Sequence, residues 1–238
     1  MTDYCIGCSG WYYDHWVGPF YPEGLPRGEW LKVYSDKFNS VEVNSTFYHL
    51  PSENVVKGWR KRTPDDFKIS LKMNRIVTHE QRFRNTGEMI ERFYELADIL
   101  GEKLGAVLVQ LHPEEELDLE MLKKIGEKLD TEKENFIEFR HPSWYVPEAY
   151  DCLKELGLGF CIVSTPDLPE KVLKTTENAF VRFHGTDKWY DYEYKKEELK
   201  NWAEKIKKLK AKRVYAYFNN DAKARAPKNC EQLKRLLK

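Results

Sequence analysis

Residues 136–140 read FIEFR. Successive side chains on a strand point to opposite faces. Ile137 and Phe139 therefore share one face, and Glu138 and Arg140 share the other. Three more segments have the same form. SVEVN (40–44) sets Val41 and Val43 against Glu42 and Asn44; FVRFH (180–184) sets Val181 and Phe183 against Arg182 and His184. FKISLK (67–72) sets Phe67, Ile69 and Leu71 against Lys72. Alternation sends Gln110, Ser164, Tyr217 and Asn219 to the polar side of their own strands. One face of each strand belongs against an apolar layer. The other converges with its neighbours' polar ends.

Working outward, apolar runs predict eight strands: Tyr4–Cys8, Ser40–Asn44, Phe67–Lys72, Ala106–Leu111, Phe136–Arg140, Gly159–Ser164, Ala179–His184 and Val214–Asn219. Helical periodicity fills the intervals at Gly28–Lys37, Ser52–Arg62, Thr86–Leu100, Leu119–Leu129, Pro147–Leu156, Glu197–Lys210 and Cys230–Leu237, with a short helix expected near Leu168–Leu173. Ser52 suits an N-cap, Pro147 a first turn, and Gly101 and Gly157 the left-handed residue after a helix. A unit of about 30 residues is the size of a βα repeat. Alternating strands and helices predict a parallel α/β sheet, and eight units predict closure into a TIM (β/α)8 barrel. An open doubly wound sheet would want a glycine-rich phosphate loop after the first strand, and GCSGWYYDHW does not provide one. No linker or repeat divides residues 1–238, which read as a single domain.

The 238 residues carry 39 Lys+Arg and 39 Asp+Glu, so the formal net charge is zero. Hydrophobic residues at 41% and aromatics at 14% exclude a disordered chain. The neutral total gives no global attraction to nucleic acid or membrane. The N-terminus lacks a basic stretch followed by an apolar run, and no segment reaches the apolar length of a membrane helix. Five cysteines, an odd number in a core-rich chain, fit a reducing cytoplasm. Cys5 and Cys8 form a CxxC, but on a strand they face opposite sides. They read as buried structural thiols.

Barrel interiors are normally filled by Val, Ile and Leu, and barrel active sites lie at the strand C-termini. Here those termini carry charge. Buried charges cost several kcal/mol each unless paired. The set therefore reads as an interior ion-pair network, as a ligand site, or as both. Two acids, Glu42 and Glu138, meet three cations, Lys72, Arg140 and Arg182. That excess favours a phosphate or carboxylate ligand, a nucleotide-like one included, over a catalytic divalent metal. In this reading the three cations hold the anion. Glu42 or Glu138 acts as general base or acid, His184 is the partner, and Asn44, Gln110 and Asn219 orient the substrate. No cofactor is expected.

Two alternatives stay open. One is metal-assisted phosphodiester hydrolysis, with Glu42, Glu138, Asp221, His79 and His184 as ligands. The other is a non-catalytic nucleic-acid-binding module. Its motivation is the Lys-rich C-terminal third and the loop aromatics, which can stack on sugars or bases. Trp11 follows the first strand and points to the site. Trp16, Phe20 and Tyr21 suit packing, and Phe47 and Tyr48 suit either role. A second aromatic cluster, Trp189, Tyr190, Tyr192 and Tyr194, follows the seventh strand. His141 suits a loop-holding role.

Taken together, GCSGWYYDHWVGPFYPEGLP (7–26), FNSVEVNSTFYHLPS (38–52), TPDDFKISLKMNRIVTH (63–79), KLGAVLVQLHP (103–113), IEFRHPSWY (137–145), FVRFHGTDKWY (180–190) and VYAYFNNDAKARAPKN (214–229) resemble the signatures of domain-of-unknown-function family 72, the YecE-like proteins. The resemblance runs through the whole chain in order. It departs at His112-Pro113, where the family tends to carry two prolines. It implies a TIM barrel and no particular activity. The family's signature residues fall here on Trp11, Glu42, Asn44, Ser45, Thr46, Tyr48, Lys72, His79, Gln110, Glu138, Arg140, His141, Trp144, Arg182, His184, Gly185, Asn219, Asn220 and Asp221. Of these, Trp11, Tyr48, His79, Asn220 and Asp221 join the expected substrate-binding set.

Overall fold

A computed structural model describes residues 2–237. The strands are β1 (Asp3–Cys8), β2 (Ser40–Val43), β3 (Lys68–Lys72), β4 (Leu104–Gln110), β5 (Asn135–Glu138), β6 (Gly159–Ser164), β7 (Ala179–Phe183) and β8 (Arg213–Phe218). All pairings are parallel, in the order β1-β8-β7-β6-β5-β4-β3-β2. A bridge between Ser9 and Glu42 brings β1 back to β2. The fold is a TIM barrel, as the eight-unit rhythm predicts.

Side chains stitch the β1–β2 seam. The Asn39 amide donates to the Tyr4 carbonyl (2.8 Å) and accepts from the Ile6 N–H (3.0 Å). The Tyr34 hydroxyl accepts from the Cys8 N–H (2.7 Å) and donates to the Ser40 carbonyl (2.9 Å). Gly7 is required here, because a Cβ would stand 1.9 Å from the Ser40 carbonyl oxygen.

The helices are α1 (Trp30–Lys37), α2 (Ser45–Tyr48), α3 (Glu53–Arg62), α4 (Gly87–Asp98), α5 (Leu119–Gly126), α6 (Pro147–Glu155), α7 (Lys196–Lys208) and α8 (Arg225–Leu237). Each longer one buries an apolar stripe; on α7 it is Leu199, Trp202, Ala203 and Ile206. Gly101 (φ +56°) and Gly157 (φ +67°) take the left-handed conformation beyond α4 and α6. Ser52 is the N-cap of α3 by position, but its side chain makes no capping bond.

Three local expectations change. The helix expected near Leu168–Leu173 is absent, and residues 165–178 cross from β6 to β7 without one. Pro166 and Pro169 remove donors there and disfavour helical backbone before them. Helix α8 starts at Arg225, earlier than its periodicity from Cys230. Pro227 sits in its first turn, where a missing N–H costs no intrahelical bond. Ser164 faces outward, accepting from the Tyr194 hydroxyl at 2.8 Å, because Cys161 and Val163 hold the inward positions of β6.

Inside the lower barrel lie Leu108, Phe136, Phe180, Tyr215 and Tyr217. The Tyr217 hydroxyl is hydrogen-bonded to Ser40 (2.6 Å) and Ser70 (2.8 Å). Tyr217 thus faces inward as expected, but below the mouth. Cys5 belongs to this inner cluster and Cys8 to the outer layer, on opposite faces of β1. Burial pushes the Cys5 thiol up to about 12 and Cys8 well above its ordinary value. Among the described residues no helix is long and apolar enough to cross a membrane.

The seam gives a first prediction. Tyr34→Phe strands the Cys8 N–H and the Ser40 carbonyl in an apolar layer. Each such buried group costs about 1–3 kcal/mol. Denaturant unfolding of this variant should show a loss of about that size; a loss under about 0.5 kcal/mol would mean that the hydroxyl does not hold the seam.

Candidate active site at the barrel mouth

Above the aromatic floor, strand alternation delivers the charged residues as expected. Arg182 on β7 is 1% exposed. Its Nε and Nη2 donate to the Glu42 Oε2 (2.8 Å) and Oε1 (2.7 Å), a bidentate pair across the barrel. Its Nη1 donates to the Glu138 Oε2 at 2.7 Å. The other Glu138 oxygen accepts from the Arg140 Nη1 (2.7 Å) and the Gln110 Nε2 (2.8 Å). Asn44 donates to Glu42 at 2.9 Å. Both carboxylates are fully buried and ion-paired.

Charge pairing sets proton affinities. Burial alone pushes the Glu138 carboxyl up, but Arg182 and Arg140, with His184 and Lys72, outweigh it and hold it well below the usual carboxylate range. Burial and then Arg182 hold His184 well below its ordinary value. Its ring nitrogens face the Arg182 Nη1 and the Asn219 Nδ2, each at 3.3 Å. Lys72 is different. Its Nζ donates to the Gln110 Oε1 (3.0 Å) and lies 3.9 Å from the centre of the Phe47 ring. Burial first and Arg182 second lower its amine from 10.5 to about 7. Glu138 and Glu42 pull the other way and are outweighed.

Loops cover this layer. Phe47 comes from α2, and His79 from a π-helical turn at Ile76–Glu80. The His79 ring lies 5.0 Å from Phe47 and 5.3 Å from His112, and burial with Lys72 lowers it to about 4. Trp189 stacks under Arg140 at 4.5 Å and lies 5.2 Å from His184. Arg82, Phe83 and Asn85, just after the π turn, have φ between 46° and 62°. Such backbone stores strain of order 1–3 kcal/mol per residue. Arg82 ties this loop to Glu114 (2.8 Å) and Glu115 (3.1 Å) beyond β4.

Trp11 and Tyr48 lie to one side. With Tyr12, Tyr13, Asn44 and Trp59 they line a groove of about 430 Å³ that abuts Asn44. Trp16 and Tyr21 are fully buried, as a packing role requires. The His141 Nδ1 accepts from the Ser143 N–H at 3.3 Å, which holds its loop.

Asn220 and Asp221 do not reach the mouth. Asn220 is buried among loops, donating to the Tyr192 carbonyl (2.8 Å) and to Asn229 (2.8 Å). Asp221 accepts from the Trp16 Nε1 (2.6 Å) and pairs with His15 (2.8 Å), tying the first loop to the last. Alternation ends at Asn219, the last residue beyond β8 that still points inward. Trp189 and His112 were the site residues least visible in the sequence. Trp189 stood in an aromatic cluster without an assigned partner, and His112 in a loop with no periodicity.

Among the described residues no three His, Cys, Asp or Glu side chains gather as a metal-ligand group. Of the five candidate ligands, Glu42, Glu138 and His184 stand together, His184 3.9 Å from Glu138, but Arg182 lies among them and engages both carboxylates. Asp221 is held by Trp16 and His15, and His79 by the Thr78 hydroxyl (2.8 Å).

Residues 5–238 match the family described as "Protein of unknown function DUF72". The chain belongs to the DUF72 family. Among curated relatives, UPF0759 protein YunF of Bacillus subtilis (strain 168) is 29% identical, over 98% of this chain and 94% of its own. UPF0759 protein YecE of Escherichia coli (strain K12) is 25% identical, over 84% and 80%. Among solved structures, a DUF72 family protein from Thermotoga maritima MSB8 superposes with a TM-score of 0.91 at 32% identity, covering 99% of both chains. Another, from Enterococcus faecalis V583, shares the fold at 24% identity and a TM-score of 0.85.

In this DUF72 barrel, Arg182→Met leaves two buried carboxylates short of a partner. Removing one partner of a buried pair costs about 3–5 kcal/mol. The variant should lose at least that much stability in denaturant, and adding Glu42→Gln with Glu138→Gln should restore a large part. A loss below about 1 kcal/mol for Arg182→Met would contradict the network's role.

Proposed function

We propose that the mouth is the substrate site of an enzyme acting on an anionic small molecule, a phosphate or carboxylate compound. Lys72 and Arg140 hold the anion. The observation that carries this reading is the Lys72 amine. It is buried at a strand C-terminus, beside Arg140, and no carboxylate oxygen among the described residues lies within 4.0 Å of it. The acids that would neutralise it are engaged by Arg182 and Arg140. An anion entering the mouth supplies the missing partner, and Arg140 keeps unused N–H donors for it.

We infer a different division of the acid–base roles. A Glu138 carboxyl held well below its usual range stays ionised and cannot donate a proton near neutral pH. We assign Glu42 and Glu138 to positioning the cations. Lys72, lowered to about 7, is the group poised to exchange a proton. His184 backs Arg182, and Gln110 and Asn219 orient their neighbours. The aromatic groove of Trp11 and Tyr48 accommodates the rest of the substrate.

Sulfate, whose charge is constant across the neutral range, tests the anion site by calorimetric titration. Lys72 carries its positive charge below about 7 and loses it above. Sulfate affinity should therefore fall roughly tenfold or more between about pH 6 and about pH 8.5. Lys72→Arg should flatten this dependence, and Arg140→Ala should weaken binding by about tenfold. Affinity that is independent of pH, or indifferent to Arg140→Ala, would contradict the proposal.

A further inference from the structure

We propose that Lys72 is a covalent catalytic nucleophile, whose uncharged amine attacks the carbonyl carbon of an aldehyde or ketone seated in the mouth to form an imine. The proposal deepens the anion-site reading and rests on it for one point, that the carbonyl compound is itself anionic.

The geometry separates Lys72 from a structural lysine. Lys103 offers the comparison, because both residues are buried, at 7% and 8% exposure. The Lys103 Nζ caps the carbonyls of Arg60 (2.8 Å) and Thr63 (2.7 Å) and lies 3.6 Å from Asp65. Three oxygens, one of them a carboxylate, thus surround it. Among the described residues the Lys72 Nζ has a single hydrogen-bond partner, the neutral amide oxygen of Gln110 at 3.0 Å. An aromatic face lies 3.9 Å away. The amine thus has one neutral oxygen partner where Lys103 has three oxygens, and no carboxylate among the described residues holds it. Gln110 is fixed in turn by Glu138 at 2.8 Å. The chain Glu138–Gln110–Lys72 fixes the direction of the amine; Gln110 is an amide and takes no proton from it.

The residue choices around it agree. Where the mouth makes ion pairs it uses arginine, which stays charged at all accessible pH. At the one position without a carboxylate it uses lysine, which can give up its proton. The groups packed around Lys72 are Glu42 from β2, Glu138 and Arg140 from β5 and beyond it, Arg182 and His184 from β7 and beyond it, and His79 from the π turn. The two acids are spent on the arginines. Burial and the residual cationic field then favour the free amine, which is lowered to about 7.

The step balances without another reactant. The nitrogen lone pair adds to the carbonyl carbon, giving a carbinolamine. The two amine hydrogens and the carbonyl oxygen leave as water, and a C=N bond replaces C=O. The anionic group of the same molecule rests on Arg140, which stays charged; the ammonium form of Lys72 that helps to hold sulfate is the resting form, and only the free amine attacks. Phe47 covers the amine and leaves Lys72 only 7% exposed, so a small carbonyl compound is the appropriate probe.

The test is reductive trapping at about pH 7 with cyanoborohydride, whose hydride reduces an imine to a stable secondary amine. Glycolaldehyde phosphate and uncharged glycolaldehyde are compared, and lysines are mapped by peptide mass spectrometry. Lys72 should be labelled ahead of every exposed lysine, with Lys103 unlabelled, and at least about tenfold faster by the phosphate. Inorganic sulfate should suppress that advantage, and Gln110→Ala should slow the labelling. Equal labelling of Lys72 by both aldehydes would keep the nucleophile and overturn the anion site. No preference for Lys72 over the exposed lysines, in protein that still binds sulfate through Arg140, would overturn the nucleophile and keep the anion site. Trapping is read on the wild-type chain, so the outcome does not depend on a variant folding; Lys72→Arg serves to confirm the mapped peptide.

Discussion

Arg182 joins two carboxylates that stand on opposite sides of a closed barrel. Its fork takes both Glu42 oxygens, and its remaining amino group takes Glu138. Buried ions survive only when paired and hydrogen-bonded, and this bridge meets that condition for β2, β5 and β7 at once. The layer that would be valine and leucine in an ordinary barrel becomes a rigid plane of charge. It rests on the aromatic floor of Phe136, Phe180 and Tyr217.

The plane has a consequence for its neighbours. Arg140 completes the Glu138 pairing, and the Gln110 amide nitrogen donates to the same carboxylate. Only the Gln110 oxygen is left for Lys72. The amine is thus buried beside two guanidinium groups and hydrogen-bonded to a neutral acceptor. It inherits the cost of the network without its compensation. That imbalance lowers its proton affinity and makes it the group through which the mouth can respond to a ligand. A net charge of zero over the whole chain conceals this local arrangement.

Much of this was legible in the sequence, because alternation is a strict geometric rule within a strand. FIEFR and FVRFH placed Glu138, Arg140, Arg182 and His184 correctly, and KISLK placed Lys72. The rule fails where strands end or where inward positions are already filled. Ser164 faces outward since Cys161 and Val163 set the parity of β6. Asn220 and Asp221 lie past the last extended residue and bind loops instead. Alternation also says nothing about partners. Glu42 and Glu138 read equally well as acid–base groups or as counterions until Arg182 was seen between them. The family's motifs spanned the chain and agreed with the barrel, and they left the chemistry open.

The claim that Lys72 is the uncompensated amine of the mouth can be measured directly. In protein labelled with nitrogen-15 lysine, the Lys72 side-chain resonance is assigned by its loss in Lys72→Arg and followed against pH. The account predicts a midpoint near 7. A midpoint near the ordinary lysine value of about 10.4 would contradict it.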